Sequence, residues 1–319
     1  MNELRKSEQW ITVANSAKLL VRRWSPNEKV RAVLNVVHGM AEHGERYKRL
    51  AERLVPEGIE VWAADMRGHG KTADVSVNDP GNGGLLGHCA DENAVALVAS
   101  DIDVINNLII KEHPNTPLFL LGHSWGSFLV QNYIETYNNT PLAGCILSGT
   151  RGTDGLFIAA SKPIMNLIAA VRGVRAQSKL AHALAIGPYN RPFRPNRTVV
   201  DWLSRDEREV DAYIADELCG NMSSAGFFRD LAILLNKIHK KHALSNIKRE
   251  LPIYIFCGSA DPVGDMGKSP MTLARVYRNL GIQDLEFALY PDARHETLNE
   301  TNREEVADNL ASWLARHIG

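Results

Sequence analysis

Apolar residues fall along this chain in two alternating patterns. Short unbroken runs rich in β-branched residues are RAVLNVVHG (31–39), IEVWAAD (59–65), PLFLLG (117–122), AGCILSG (143–149), PIYIFCG (252–258) and LEFALYP (285–291). Each is of strand length and is bounded by glycine, proline or aspartate. Between them lie stretches with apolar residues three and four apart, which predict helices. YKRLAERLVPEG (47–58) ends on a glycine, and ENAVALVASDIDVINNLIIKEHP (92–114) is stopped by Pro114. REEVADNLASWLARHI (303–318) predicts a closing helix, and WITVAN with AKLLVRRW predicts a hairpin turning at Asn15-Ser16. Strands apolar on both faces, alternating with helices, imply a mainly parallel sheet covered on both sides, an α/β architecture.

The alternation stops between Thr150 and about Ile247, where no strand pattern occurs. GLFIAASKPIMNLIAAVRGV, KLAHALAI, VDAYIADELC and FFRDLAILLNKIH are helical in spacing, and GPYNRPFRPNRT interrupts them. An all-helical insertion between two sheet strands reads as a cap over the strand ends. Residues 1–150 and 248–319 then form the sheet core, and residues 151–247 the cap.

Composition narrows the class. A chain of 319 residues with 45% hydrophobic residues suffices for a large core, and its net charge of −1 gives no basic surface for nucleic acid. No apolar run is long enough to span a bilayer. The first ten residues, MNELRKSEQW, are not followed by an apolar segment, so no secretory leader is expected. The four cysteines, Cys89, Cys145, Cys219 and Cys257, show no metal or redox spacing. They read as buried thiols in a reducing compartment, which suggests a cytoplasmic protein.

The chemistry concentrates in FLLGHSWGSFLV (119–130). Gly122, Ser124 and Gly126 satisfy G-x-S-x-G, with a strand leading in and a helix leading out. That setting is a sharp turn that lifts a serine hydroxyl above the sheet, and the flanking glycines let neighbouring backbones approach. Serine needs a base to become a nucleophile. In the chain order serine, acid, histidine, the partners are Asp261 after one strand and His295 after the next. Asp265 is a competing acid, and Asp292 reads as a turn residue. His113, His182, His239, His242 and His317 fall in predicted helices or at their ends and read as packing or solvated residues. An oxyanion would be held by the amide of Trp125 and by that of Met40 in VVHGMAEHGERY. Gly39 turns that loop, His38 orients it, and Glu42 with Arg46 reads as a structural ion pair.

Taken together, HGMAEHGERY, DMRGHGKT, GHSWGSFL, SADPVGD and YPDARHETLNE resemble the monoacylglycerol lipase and lysophospholipase branch of the α/β hydrolases, which also carries the serine aminopeptidase name. The resemblance spans residues 10 to 315. It implies an α/β-hydrolase fold, an eight-stranded mostly parallel sheet with a helical cap after the sixth strand. It implies catalytic residues Ser124, Asp261 and His295 and oxyanion donors Met40 and Trp125. His38, Gly39, Gly122, His123 and Gly126 support the site as parts of the matched motifs. The fourth position of the elbow departs from the family's G-H-S-M-G: Trp125 stands there, and its ring is expected to narrow or reshape the acyl pocket.

The expected activity is carboxylic-ester hydrolysis through an acyl-enzyme, on monoacylglycerol, lysophospholipid or similar acyl esters. The rivals are a small-ester carboxylesterase, a non-catalytic member of the fold, and amide hydrolysis of the aminopeptidase type. The last would need acidic cap residues, with Asp206, Glu207, Glu209, Asp211, Asp216 and Glu217 as candidates, to recognise an amine. A serine at the elbow argues against epoxide hydrolases and dehalogenases, which use aspartate there. No cofactor or metal is required. The expected partner is a small acyl ester, with a transient membrane or micelle contact through the cap rim; monomer and homodimer fit equally.

Overall fold

A computed structural model describes residues 4–152 and 156–318. Strands β1 (Arg5–Thr12) and β2 (Lys18–Ser25) form the N-terminal hairpin, closed at Thr12↔Lys18, with Asn15 and Ser16 both at positive φ in its turn. Then follow β3 (Ala32–Val37), α1 (Lys48–Leu54), β4 (Ile59–Ala64), α2 (Ala94–Glu112), β5 (Leu118–His123), α3 (Trp125–Thr136) and β6 (Leu142–Ser148). Five helices come next: α4 (Leu156–Arg172), α5 (Lys179–Ala185), α6 (Glu207–Ala215), α7 (Ala225–Lys237) and α8 (Lys241–Leu244). The chain returns to the sheet with β7 (Ile253–Gly258), α9 (Lys268–Asn279), β8 (Leu285–Tyr290) and α10 (Arg303–His317).

The eight strands form one sheet in the order β1-β2-β4-β3-β5-β6-β7-β8. The β1–β2 and β2–β4 pairs are antiparallel and every later pair is parallel. This is the α/β-hydrolase fold. Every residue of β3, β4, β5 and β7 is buried, which explains why their sequences are apolar without alternation. The edge strand β1 is largely exposed and polar, which leaves it a poor template for further pairing.

Two apolar layers sandwich the sheet. On one face α1 and α10 contribute Leu50, Leu54, Leu310 and Trp313 against Phe119, Ile146 and Phe256. On the other, α2, α3 and α9 contribute Ile102, Ile105, Tyr133 and Leu273 against Leu120 and Ile255. Burying each such large side chain contributes about 1.5–3 kcal/mol. All four cysteines are free and buried within this framework.

Between β6 and β7 the described residues contain no strand, only the isolated bridge Gln177↔Ser224. Here α4 packs along α7, and α7 rests on α2 and α3. Ser178, Asp206 and Ser224 cap α5, α6 and α7, each side chain accepting a first-turn amide. The helix expected over 210–219 starts earlier and ends earlier. Asp206 and the acidic residues Glu207 and Glu209 nucleate its N-terminus, and the chain leaves it so that Asp216 reaches His43. The start of the helix expected from Gly155 lies outside the described residues. Among the described residues no helix is long and apolar enough to cross a membrane.

Candidate active site

The C-terminal ends of β3, β5, β7 and β8 gather the candidate residues at one edge of the sheet, where open α/β sheets bind ligands. At the end of β5 the chain turns straight into α3. Ser124 stands in the turn at φ 53° and ψ −122°, a conformation that a residue with a side chain adopts only when its surroundings impose it. The packing of the flanking glycines imposes it. A Cβ on Gly126 would lie 2.1 Å from the Val37 carbonyl oxygen, and one on Gly122 would lie 2.5 Å from the Gly126 carbonyl oxygen.

Asp261 and His295, from the loops after β7 and β8, meet Ser124 in space. Ser124 Oγ–H donates to His295 Nε2 over 2.8 Å, and His295 Nδ1–H donates to both oxygens of Asp261 over 3.0 Å. These partners assign the tautomer: the ring proton faces the carboxylate and Nε2 is left to accept. Asp261 is inaccessible to solvent, His295 nearly so, and Asp261 is held in turn by the Val263 amide at 2.9 Å. Burial alone would depress the His295 imidazolium. The adjacent Asp261 carboxylate outweighs it and holds the imidazole above its ordinary pKa. Asp265, the competing acid, is exposed and distinct from this chain of bonds, and Asp292 occupies a turn at φ 58°.

The loop of Gly39 and Met40 lies against the serine. A Cβ on Gly39 would stand 2.8 Å from Glu42 Oε1 and 3.2 Å from Ser124 Cβ, so glycine favours the approach, and Met40 lines the same cavity as Ser124 and His295. Trp125 opens α3, and its amide is one of those at a helix start that no helical carbonyl can accept. His38 is fully buried. Its Nδ1–H donates to the Gly39 carbonyl at 2.7 Å and its Nε2 accepts the Met66 amide at 3.0 Å, so it joins the loop to the end of β4 as a neutral ring. Burial lowers its pKa, consistent with that state.

Glu42 and Arg46 form the expected ion pair at 2.7 Å within a larger network. Glu42 Oε1 accepts the Gly39 amide at 2.5 Å and the Tyr47 hydroxyl at 3.0 Å. Arg46 reaches on to both oxygens of Glu296, next to His295, at 2.7 Å each. Burial would raise the Glu42 carboxyl, but the Arg46 guanidinium and the Gly39 amide hold it well below the usual carboxylate range. His123 lies tilted against His295, with ring centroids 4.9 Å apart, and burial lowers its pKa to about 4, so it stays neutral.

The Trp125 ring stacks on His69 at 4.9 Å and lies tilted against Phe227 at 5.3 Å, in a pocket with Cys89, Val98 and Leu129, and Trp125 also lines the cavity of Ser124 and His295. Several lining residues gave no separate signal in the sequence. Trp202 lies 5.0 Å from the His295 ring, and its carbonyl accepts the His295 amide at 3.3 Å. Tyr213, Gly220 and Leu231 also face the cavity lined by Ser124 and His295 from the helical segment. Glu296, next to His295, lay within a quoted motif, as did the lining residues Ala41, Phe128 and Val263. Of the remaining histidines, His182 lines the cavity, His113 and His317 pair with Glu60 and Asp284, and His239 binds Gln131.

The cavity lined by Ser124 and His295 measures about 180 Å³. A second, mostly apolar cavity of about 170 Å³ lies between α4, α5 and α7, and Ile186, Tyr189 and Leu231 line both. A second serine-histidine-aspartate contact exists at Ser224, His88 and Asp91. Its serine is buried and already caps α7 by accepting the Phe227 amide at 3.0 Å, so no carbonyl substrate reaches it.

Residues 28–302 match the family model described as serine aminopeptidase, S33. The monoacylglycerol lipase of Mycolicibacterium smegmatis is 27% identical over 316 residues, covering 98% of both chains. The monoglyceride lipase of Homo sapiens is 27% identical over 88% of this chain and 81% of that one. A thermostable carboxyl esterase from Bacillus coagulans, solved in complex with glycerol, superposes with a TM-score of 0.86 at 26% identity over 99% of this chain and all of that one.

Proposed function

Because the chain belongs to the serine aminopeptidase S33 family, in the monoacylglycerol lipase-like branch of the α/β hydrolases, and is an ester-hydrolysing enzyme of the lipase type, we propose that it cleaves acyl esters of glycerol through an acyl-enzyme on Ser124. The observation that carries this reading is the unbroken chain of hydrogen bonds from Ser124 Oγ through His295 to Asp261 at the floor of a cavity.

In this mechanism Ser124 Oγ attacks the ester carbonyl as its proton passes to His295 Nε2. Asp261 keeps the ring in the reactive tautomer and stabilises the imidazolium. The negative oxygen of the tetrahedral intermediate is received by the Met40 and Trp125 amides. The intermediate collapses as His295 returns the proton to the departing alcohol, leaving an acyl group on Ser124. Water, deprotonated by the same Nε2, then repeats the attack and releases the acid.

The apolar cavity beyond Ile186 and Leu231 suits the acyl chain, and the relatives named as monoacylglycerol lipases support a glycerol ester as substrate. Amide hydrolysis with recognition of a free amine is less well supported. The carboxylates lining the catalytic cavity among the described residues are Glu42 and Glu296, and both are committed to Arg46. Asp206, Glu209, Asp211 and Asp216 are occupied by Arg303, Arg49, Arg197 and His43.

A series of monoacylglycerols and aryl esters of increasing acyl length, run beside Ser124→Ala, tests the proposal. The expected result is a maximum at medium or long acyl chains and a loss on the order of 10⁴-fold or more in Ser124→Ala. Activity confined to acetyl and butyryl esters would instead make the protein a small-ester hydrolase.

A further inference from the structure

The loop that carries the Met40 amide is clamped from two sides, and one of the clamps belongs to the helical segment between β6 and β7. From the core side, His38 Nδ1–H donates to the Gly39 carbonyl at 2.7 Å, which fixes the peptide that bears the Met40 N–H. Immediately after Met40, Ala41 stands at φ 55°, a left-handed conformation that a residue with a Cβ holds only when its neighbours enforce it. The enforcing bonds come from the other segment. The Ala41 carbonyl accepts two hydrogen bonds, from the Gly220 amide at 2.9 Å and from the Tyr213 hydroxyl at 3.0 Å. Two residues on, His43 Nε2–H donates to Asp216 Oδ2 at 2.7 Å. Tyr213 is itself held in place. It is 8% exposed, and the Arg46 guanidinium lies 5.0 Å from its ring centre. Met40 therefore sits between one peptide clamped by the sheet and another clamped by the stretch from Tyr213 to Gly220.

We propose that Tyr213 and Asp216 are positioning residues of the oxyanion hole, setting the Met40 amide through Ala41 and His43, so that the hole is complete only while this helical segment is seated on the core. The inference rests on the reading of Ser124 and Met40 given above. Neither side chain is required to touch the substrate. Their effect falls on the state in which the carbonyl oxygen carries charge, since the Met40 N–H is asked to hold that oxygen and contributes little to binding a neutral ester.

The test uses Tyr213→Phe, which keeps the ring over Arg46, and Asp216→Asn, which keeps the side-chain volume. Each is measured on an aryl ester and for affinity toward a trifluoromethyl ketone. That inhibitor forms a Ser124 Oγ–carbon bond, passes the serine proton to His295 and leaves an alkoxide in the hole. The expected result is a fall in kcat of roughly tenfold or more, below the loss of a whole donor, with KM within about twofold. Affinity for the trifluoromethyl ketone should fall with kcat/KM, while affinity for the matching methyl ketone stays unchanged. The double variant should lose less than the product of the single effects, because both act on one loop. Val171→Ser, on the exposed face of α4, should behave as wild type.

Wild-type kcat in both variants, a rise in KM alone, or equal loss of affinity for both ketones would overturn the proposal. If Tyr213→Phe fails to fold, the Asp216→Asn measurements decide it by the same criteria. Wild-type turnover in Ser124→Ala would overturn the reading of the site itself, whatever Tyr213 does.

Discussion

Glu135, on the buried side of α3, offers a test of the electrostatics of the core. It is 3% exposed, and neither carboxylate oxygen has a hydrogen-bond partner. Burial raises its pKa to about 9, with Lys237 opposing the shift only in part. The native protein therefore keeps a proton on Glu135 at neutral pH that the unfolded chain, with an ordinary carboxyl near 4.5, has lost. The stability this proton confers is fully present below the unfolded pKa and is lost as pH rises toward 9. The limiting slope is about 1.36 kcal/mol per pH unit, which makes about 4 kcal/mol an upper bound between pH 5 and pH 8. Water penetration and relaxation around the charge reduce this, and about 2 kcal/mol is expected. Glu135→Gln keeps the shape and hydrogen-bonding groups of the protonated acid but cannot ionise. Urea unfolding of both proteins at pH 5 and pH 8 isolates the effect, because all other titrations cancel in the difference. The variant should be close to wild type at pH 5 and more stable by about 2 kcal/mol at pH 8. The same offset at both pH values would refute the reasoning.

Other outcomes follow from the same structure. Asp261→Asn removes the carboxylate that contributes most to holding the His295 pKa up, and burial is then opposed only by the weaker effects of Glu296 and Glu42. The acidic limb of kcat/KM, expected above the ordinary imidazole pKa in the wild type, should move to lower pH, with kcat down by about 10⁴-fold. Leu231→Trp, at a residue lining both cavities, should cut turnover of dodecanoyl esters by about tenfold or more while butyryl esters are unaffected; equal losses on both would show that the acyl chain lies elsewhere. Trp125→Met restores the family's usual elbow residue. It should retain activity within a few-fold yet cost about 1–3 kcal/mol of stability in thermal or urea unfolding, because the variant loses the ring's packing on His69 and Phe227.

How much of this was readable in the chain depended on how local the determinant was. Strands β3, β5 and β7 stand within a residue or two of their apolar runs, because a strand buried on both faces needs a continuous apolar sequence. The Gly122-Ser124-Gly126 turn was equally legible, since its constraint is carried by adjacent residues. Asp261 and His295 could be placed only because each follows a strand end. Tyr213, Asp216 and Trp202 carried no such mark: their positions over Ala41, His43 and His295 arise from how the helical segment folds back on the core. Trp125 lines the cavity of Ser124 and His295, as its place in the motif suggested, but the packing of its ring against His69 and Phe227 carried no mark in the sequence.

The central claim is that Ser124 carries the acyl group. It is tested most directly by treating the protein with a fluorophosphonate, mapping the labelled peptide by mass spectrometry, and measuring residual esterase turnover beside Ser124→Ala. The account predicts one phosphonyl group per chain, located on Ser124, with loss of turnover in proportion to labelling and an unlabelled, inactive Ser124→Ala. Label on another residue, or an unlabelled Ser124→Ala that still turns over ester at the wild-type rate, would contradict it.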